Sequence, residues 1–305
     1  MSALPQPKPA RLQNPVVLKE LRSRMRRSRA FVILTVYLLV MTAVATLVYL
    51  AYASAGGPGP TSATAAADAG LAIFAAVLAV EVVLVVFIGP AFTAGAISGE
   101  RERQTFDLLR TTLLSAEAFV SGKLLSALSY VLLLIGASLP LLSIAFLLGG
   151  PSLTEVVLSQ VLLVTTAVTY ALFGLYCSAR FRTTLGATVT TLAVTLFVTF
   201  GVPVIVLASV GIFGTLSTWS GMGVLAARLL LMGALLLAAT NLPATLIVSE
   251  IILTQENSLF TFRQVVSGTP VTLLSPWPIF IVLHLAVAAV LFLACVRRVR
   301  RISDE

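Results

Sequence analysis

Six stretches of the chain stay apolar for the ~20 residues that a helix needs to cross ~30 Å of hydrocarbon at 1.5 Å per residue. They run over residues 30–53, 71–97, 124–148, 156–179, 184–212 and 275–296, and each predicts a membrane-spanning helix. A seventh stretch, residues 222–253, is long enough but is broken by Thr240-Asn241-Leu242-Pro243, with Arg228 near its start and Glu250 near its end. Proline removes a backbone donor, and non-helical backbone at membrane depth is tolerated only where protein or a wet cavity covers it. The pattern therefore predicts an all-α integral membrane protein of six transmembrane helices, with a re-entrant or exterior helical hairpin before the last span. An ordinary seventh span is the other reading of 222–253.

Between the spans the punctuation is clear. Residues 1–13, with Pro5, Pro7 and Pro9, read as a disordered cytoplasmic tail, and 14–305 as a single transmembrane domain. Asn14-Pro15 makes an N-cap and first turn, after which Val17, Leu18, Leu21 and Met25 recur at helical spacing against Lys19, Arg22, Arg26 and Arg29. This predicts an interfacial helix over 14–29, its basic side on anionic headgroups; a plain basic anchor is the alternative. The stretch 56–64 (GGPGPTSAT) is a loop, Gly149-Gly150-Pro151 a tight turn, and Arg180-Phe181-Arg182 a tight turn on the other face. The polar region 254–272, which carries Arg263, joins the broken stretch as the main exterior feature. Pro90, Pro140 and Pro203 fall inside three different spans and should kink them.

Charge supplies the orientation. Of the 20 Lys and Arg residues, eight lie in the first 29 positions, four between Arg101 and Lys123, two at Arg180 and Arg182, and four between Arg297 and Arg301. The connections at 54–70, 149–155 and 213–221 hold none. Basic residues accumulate in short cytoplasmic loops, so both termini should be cytoplasmic and the number of full spans even. A chain that is 58% hydrophobic and 10% charged is no soluble globular domain. The net charge of +8 flanks spans and forms no groove with interleaved aromatics, which excludes a nucleic-acid partner and leaves membrane lipid as the counterpart. Cys177 and Cys295 fall near cytoplasmic helix ends with no His or second Cys beside them, and read as inert packing.

Catalytic chemistry needs clustered acids, bases or nucleophiles, and the chain has one His. His284 lies within the last span, where it either bonds to a neighbouring helix or handles a proton or substrate. Glu81 is placed about ten residues into the second span, where a central charge costs ~2.5–3.5 kcal/mol, so it should face other helices or water. Ser121-Gly122-Lys123-Leu124 resembles a phosphate loop only superficially: Glu117 stands at its first Gly position, and Leu124 replaces the Ser or Thr that would hold magnesium. No catalytic, cofactor or metal site is expected in this chain.

The insert between the second and third spans, residues 99–119, differs in kind. Gly99 can end the span, Glu100 to Gln104 form a solvated turn, and Phe106, Leu109 and Leu113 then fall at i, i+3 and i+7. So short a helix gains its stability from a partner groove, with flanking charges to orient it; a helix resting on lipid is the alternative.

At these residues the chain resembles the membrane subunit of ABC transporters of the ABC-2 type. The turn Gly99-Glu100-Arg101-Glu102, the run Thr105-Phe106-Asp107-Leu108-Leu109 and the step from Leu114-Ser115 to Gly122-Lys123 carry the likeness. The entry segment Asn14-Pro15-Val16-Val17-Leu18-Lys19-Glu20-Leu21, the Ser275-Pro276-Trp277 start and the Arg-rich end of the last span extend it over the whole chain. Leu113 departs from it, since relatives often place a proline there. The resemblance implies an exporter permease of the cytoplasmic (inner) membrane that lacks its own ATPase. It would pair with an ABC-type ATPase subunit dimer, which binds the ATP and Mg, and with a second permease copy. It implies docking contacts at Phe106, Leu108 and Leu109, oriented by Arg101, Glu102, Arg103 and Asp107, with Arg180, Phe181 and Arg182 as a second contact. Apolar walls and few charges lean towards a hydrophobic or amphipathic cargo. An ion-coupled secondary transporter and a noncatalytic membrane scaffold are the competing classes.

Overall fold

The computed structural model describes residues 28–55, 63–104, 115–204, 224–256, 258–266 and 269–304. The interfacial helix expected at 14–29 lies outside these residues except for Ser28 and Arg29, which open the first helix. Also outside are most of the 56–64 loop and the connection at 213–221.

In chain order the elements are α1 (Ser28–Ala55), α2 (Ala63–Ala94), a one-turn α3 (Ser98–Glu102), α4 (Ala116–Leu147), α5 (Leu153–Arg180) and α6 (Thr184–Leu196). A π-helical turn (Phe197–Gly201) prolongs α6, and α7 (Val224–Ala238), α8 (Leu242–Glu256), β1 (Thr261–Val266), β2 (Thr269–Leu274) and α9 (Pro276–Asp304) follow. Among the described residues six helices are long and apolar enough to cross a membrane: α1, α2, α4, α5, α6 with its extension, and α9. This bears out a multi-pass helical membrane protein.

The helices outrun the apolar stretches because caps set their ends. Ser115 accepts the Ala118 N–H at 3.2 Å, so α4 begins at Ala116, and the last residues assigned to the 99–119 insert are the first turn of a span. Ser152 and Glu155 form a reciprocal capping box at the start of α5 (2.6 and 3.2 Å), and Thr183 caps α6 at 3.3 Å. The second span starts at Ala63 and stops at Ala94, where Gly95-Ala96-Ile97 turn the chain; Gly99, expected to end it, sits inside α3.

Helix α2 runs through the centre, packed against α1, α4, α5 and α6, while α9 lies along α5. Met41, Val77, Val85, Leu134, Leu162, Leu163 and Phe280 are fully enclosed between them. Near the far end from α3, Gly70 meets Gly150 backbone to backbone: a Cβ on Gly70 would lie 2.8 Å from the Ala145 carbonyl oxygen and 2.9 Å from the Gly150 nitrogen. The Gly149-Gly150-Pro151 turn is thus a packing surface as well as a turn.

The broken stretch is two helices, and its break is braced. Within the π-helical turn the Val202 N–H bonds to the Phe197 carbonyl, and Pro203 has no N–H to offer the Val198 or Thr199 carbonyl five and four residues before it. Asn241 fills the gap, its Nδ2 donating to Val198 O at 2.6 Å and Thr199 O at 3.0 Å. The Asn241 Oδ1 accepts the Ala244 N–H at 3.2 Å and caps α8, and Thr245 Oγ1 donates back to Ala238 O at 2.7 Å.

The expectation of an all-α chain fails between α8 and α9, where β1 and β2 pair antiparallel, Phe262 opposite Leu273. Val and Thr recur on both sides of the turn pair Ser267-Gly268, in a stretch expected only as part of a polar exterior region. Phe262 and Leu273 bury themselves against Ile252 of α8, and Trp277 Nε1 donates to Leu259 O at 2.7 Å, tying the hairpin to the start of α9.

Candidate functional site

The turn beyond α2 is the charged feature singled out by sequence, and the structure shows how firmly its base is held. Ile97 is fully buried with Phe119 and Val120 of α4, Leu175 and Ala179 of α5, and Cys295, Val296 and Val299 of α9. This second core gathers the end of α2, the start of α4 and the ends of α5 and α9 at one end of the bundle. Arg101, Arg103, Lys123, Arg180, Arg182 and the last-helix arginines therefore share that end, and Arg300 lies 3.7 Å from Glu117. Cys177 and Cys295 are buried free thiols there.

Polar bonds tie the turn to three spans. The Ser178 hydroxyl of α5 accepts the Ile97 and Ser98 N–H groups at 2.9 and 3.0 Å, closing the break between α2 and α3. Lys123 of α4 reaches Glu100 with 2.6 Å between Nζ and Oε1, its ammonium 5.6 Å from the Phe119 ring centre. Both Glu102 oxygens accept from Thr184, from its N–H at 2.8 Å and its hydroxyl at 2.9 Å. That places a carboxylate on the first residue of α6, where the helix dipole favours negative charge. Beyond α3 the backbone turns left-handed at Gln104, with φ of 56°.

The sequence-predicted residues divide accordingly. Glu102 is bonded to α6, whereas Arg101 is half-buried and Arg103 exposed. Arg180 and Arg182 are exposed and Phe181 half-buried, and the Glu102–Thr184 contact brings that turn beside α3. Phe106, Asp107, Leu108 and Leu109 lie outside the described residues. Sequence reasoning missed Lys123, Ser178 and Thr184. Lys123 alone left a signal: a lone cation on an apolar helix needs a partner, and Glu100 is a nearby acid.

The two intramembrane polar candidates both make hydrogen bonds to neighbouring groups. Glu81 is wholly buried; Ser138 of α4 donates to its Oε1, and Gln160 of α5 donates to Oε2 at 3.0 Å. The buried Tyr37 hydroxyl of α1 lies beside the same group, so four helices meet there. His284 stacks on Phe280 with ring centres 3.8 Å apart, its Nδ1 3.0 Å from the Phe280 carbonyl oxygen, while Thr169 donates to the His284 carbonyl at 3.2 Å. Both groups thus contact neighbouring helices. Among the described residues no three His, Cys, Asp or Glu side chains come together as a metal site would require.

Neither a protein-family model nor a curated protein sequence matches this chain.

Proposed function

We propose that the chain is the permease subunit of an ATP-binding cassette exporter of the ABC-2 type, without a nucleotide site of its own. It would work with a dimer of ATPase subunits that binds ATP and Mg, and with a second permease copy. The observation that carries this reading is the anchoring of the charged turn: α3 is bonded to α4 through Lys123, to α5 through Ser178 and to α6 through Thr184. A displacement delivered to the insert would therefore reach three spans at once, which a rigid coupling element requires. The Arg-rich end would face the cytoplasm by the charge rule, in the cytoplasmic membrane, with the ATPases beneath Arg101, Arg103, Arg180 and Arg182. The α7–α8 pair would enter the membrane from the far side and turn back at Asn241, its exposed backbone covered by α6.

An ion-coupled transporter would want Glu81 and His284 free to exchange a proton with a pathway, and both are taken up in helix contacts. A scaffold would bind the ATPase yet move no solute. The test is Phe106→Asp, which should leave the protein inserted while it loses co-purification with the ATPase, or keeps it without ATP-dependent transport. Full ATP-dependent transport by that variant would overturn the docking role.

A further inference from the structure

At the end opposite α3, a cavity of about 590 Å³ opens between α2, α5, the π-helical turn and α8. Its volume falls in the range of small-molecule sites, and its walls are apolar: Phe74 and Leu78 of α2, Leu162 of α5, Phe200, and Leu246 of α8. The α2 wall runs from Leu71 to Val83, about 18 Å at 1.5 Å per residue, so the space is elongated along that helix.

Its polar groups are few, and they converge. Ser159 and Thr254 spend their hydroxyls on the Val156 and Glu250 carbonyls, both at 2.8 Å. Ser249 is 2% exposed and its hydroxyl has no partner, yet it lines the cavity. Beside it Glu250 lines the same cavity as Glu155 of the first α5 turn, so two carboxylates share one apolar space. Glu155 spends one oxygen on the Ser152 N–H, and among the described residues neither acid has a Lys or Arg partner. Two like charges against an apolar wall are unfavourable to each other unless a cation joins them.

We infer that this cavity binds a lipophilic organic cation, its apolar body along α2 and α8 and its positive head between Glu155 and Glu250, with Ser249 hydrogen-bonded to the head. A neutral acyl chain would fill the walls but leave the two acids and the orphan hydroxyl unanswered. The inference rests on the cavity alone and stands whether or not an ATPase drives the protein.

The experiment uses the full chain in phosphatidylcholine nanodiscs, without ATP, and two photoreactive probes: dodecylammonium, whose N–H groups can reach Ser249, and dodecanol, each with a diazirine on the chain. The cationic probe should label peptides spanning Leu71–Val83 and Pro243–Thr254 saturably, and the neutral probe should not. Glu155→Gln with Glu250→Gln should lower that labelling about tenfold or more, since a buried charge loses its partner. Ile247→Trp, at an exposed wall position, should block labelling by bulk and serves if the acid variant fails to fold. Equal labelling by both probes, retention of a bilayer phospholipid in the cavity by native mass spectrometry, or labelling confined to the outer face of α1 would overturn the inference.

Discussion

At the scale of the residue, the chain solves buried polarity by pairing defects. Pro203 has no N–H to offer the Val198 or Thr199 carbonyl, and Asn241, at a break that itself needs satisfying, supplies one amide to both. Leaving a buried carbonyl unpaired costs about 1–3 kcal/mol, and losing a cap about 1 more. Asn241→Leu should therefore destabilise the purified protein by roughly 2–4 kcal/mol, read as a lower unfolding temperature in detergent. Pro203→Ala restores an N–H four residues beyond Thr199, so Asn241→Leu should cost less in that background; strictly additive effects would reject the pairing. The break at Asn241 and Pro243 was legible in the sequence, but its brace was not, because no side-chain pattern announces a π-helical turn. Glu81 was legible as a problem. Its answers, Ser138 and Gln160, stand 57 and 79 positions away, and only packing brings them in. Replacing Glu81 by Gln should keep the Ser138 contact and leave expression and transport near the parent level across pH, whereas Glu81→Leu strands Ser138 and Gln160 together. A strong pH-dependent loss in the Gln variant would show Glu81 to be a working proton site.

At the scale of the element, what decides the ends of helices is capping, and what decides their spacing is glycine. Apolar runs located every span, yet α2 and α4 begin well before their runs because hydropathy ignores Ser, Thr, Ala and Gly residues that extend a helix back to its cap. The β1–β2 hairpin was missed for a related reason: a short amphipathic ribbon has no membrane-length signal, and its buried face shows only once Ile252 offers a surface to bury against. The Gly70–Gly150 approach gives this scale its test. A methyl on Gly150 meets the backbone of Gly70 and Leu71, which cannot rotate away as a side chain might. Gly150→Ala should thus cost about 1–3 kcal/mol and lower the yield of folded protein. Gly136→Ala is the matched control, since a Cβ there meets nothing within 4 Å; with glycine's backbone entropy removed, that variant should be unchanged or slightly more stable. Equal behaviour of the two variants would mean that the α2 end does not rest on the α4–α5 turn.

At the scale of the whole molecule, the question is which ends share a face. Apolar length alone left two answers, six spans or seven, because a broken stretch is compatible with both, and the charge pattern favoured six. The packing of Val296 and Val299 of α9 against Ile97 and Phe119 places the chain's last helix end beside the turn after α2. On the proposed six-span reading, with α6 starting at that end and α9 finishing at it, α7 and α8 together would begin and finish on the far side. Cysteines at exposed positions make this measurable, and the background is low because Cys177 and Cys295 are 3% and 0% exposed. A membrane-impermeant maleimide applied to whole cells should label Thr154→Cys and Thr272→Cys. It should reach Arg103→Cys, Arg182→Cys and Arg300→Cys only after the cells are opened. If α7–α8 instead crossed fully, Thr272 and Arg300 would exchange sides relative to Arg103, and the second core joining α9 to α2 could not form in the cell. That exchange would break the geometry by which a push on the insert could reach α4, α5 and α6 together, so the labelling pattern tests the architecture before any transport assay is attempted.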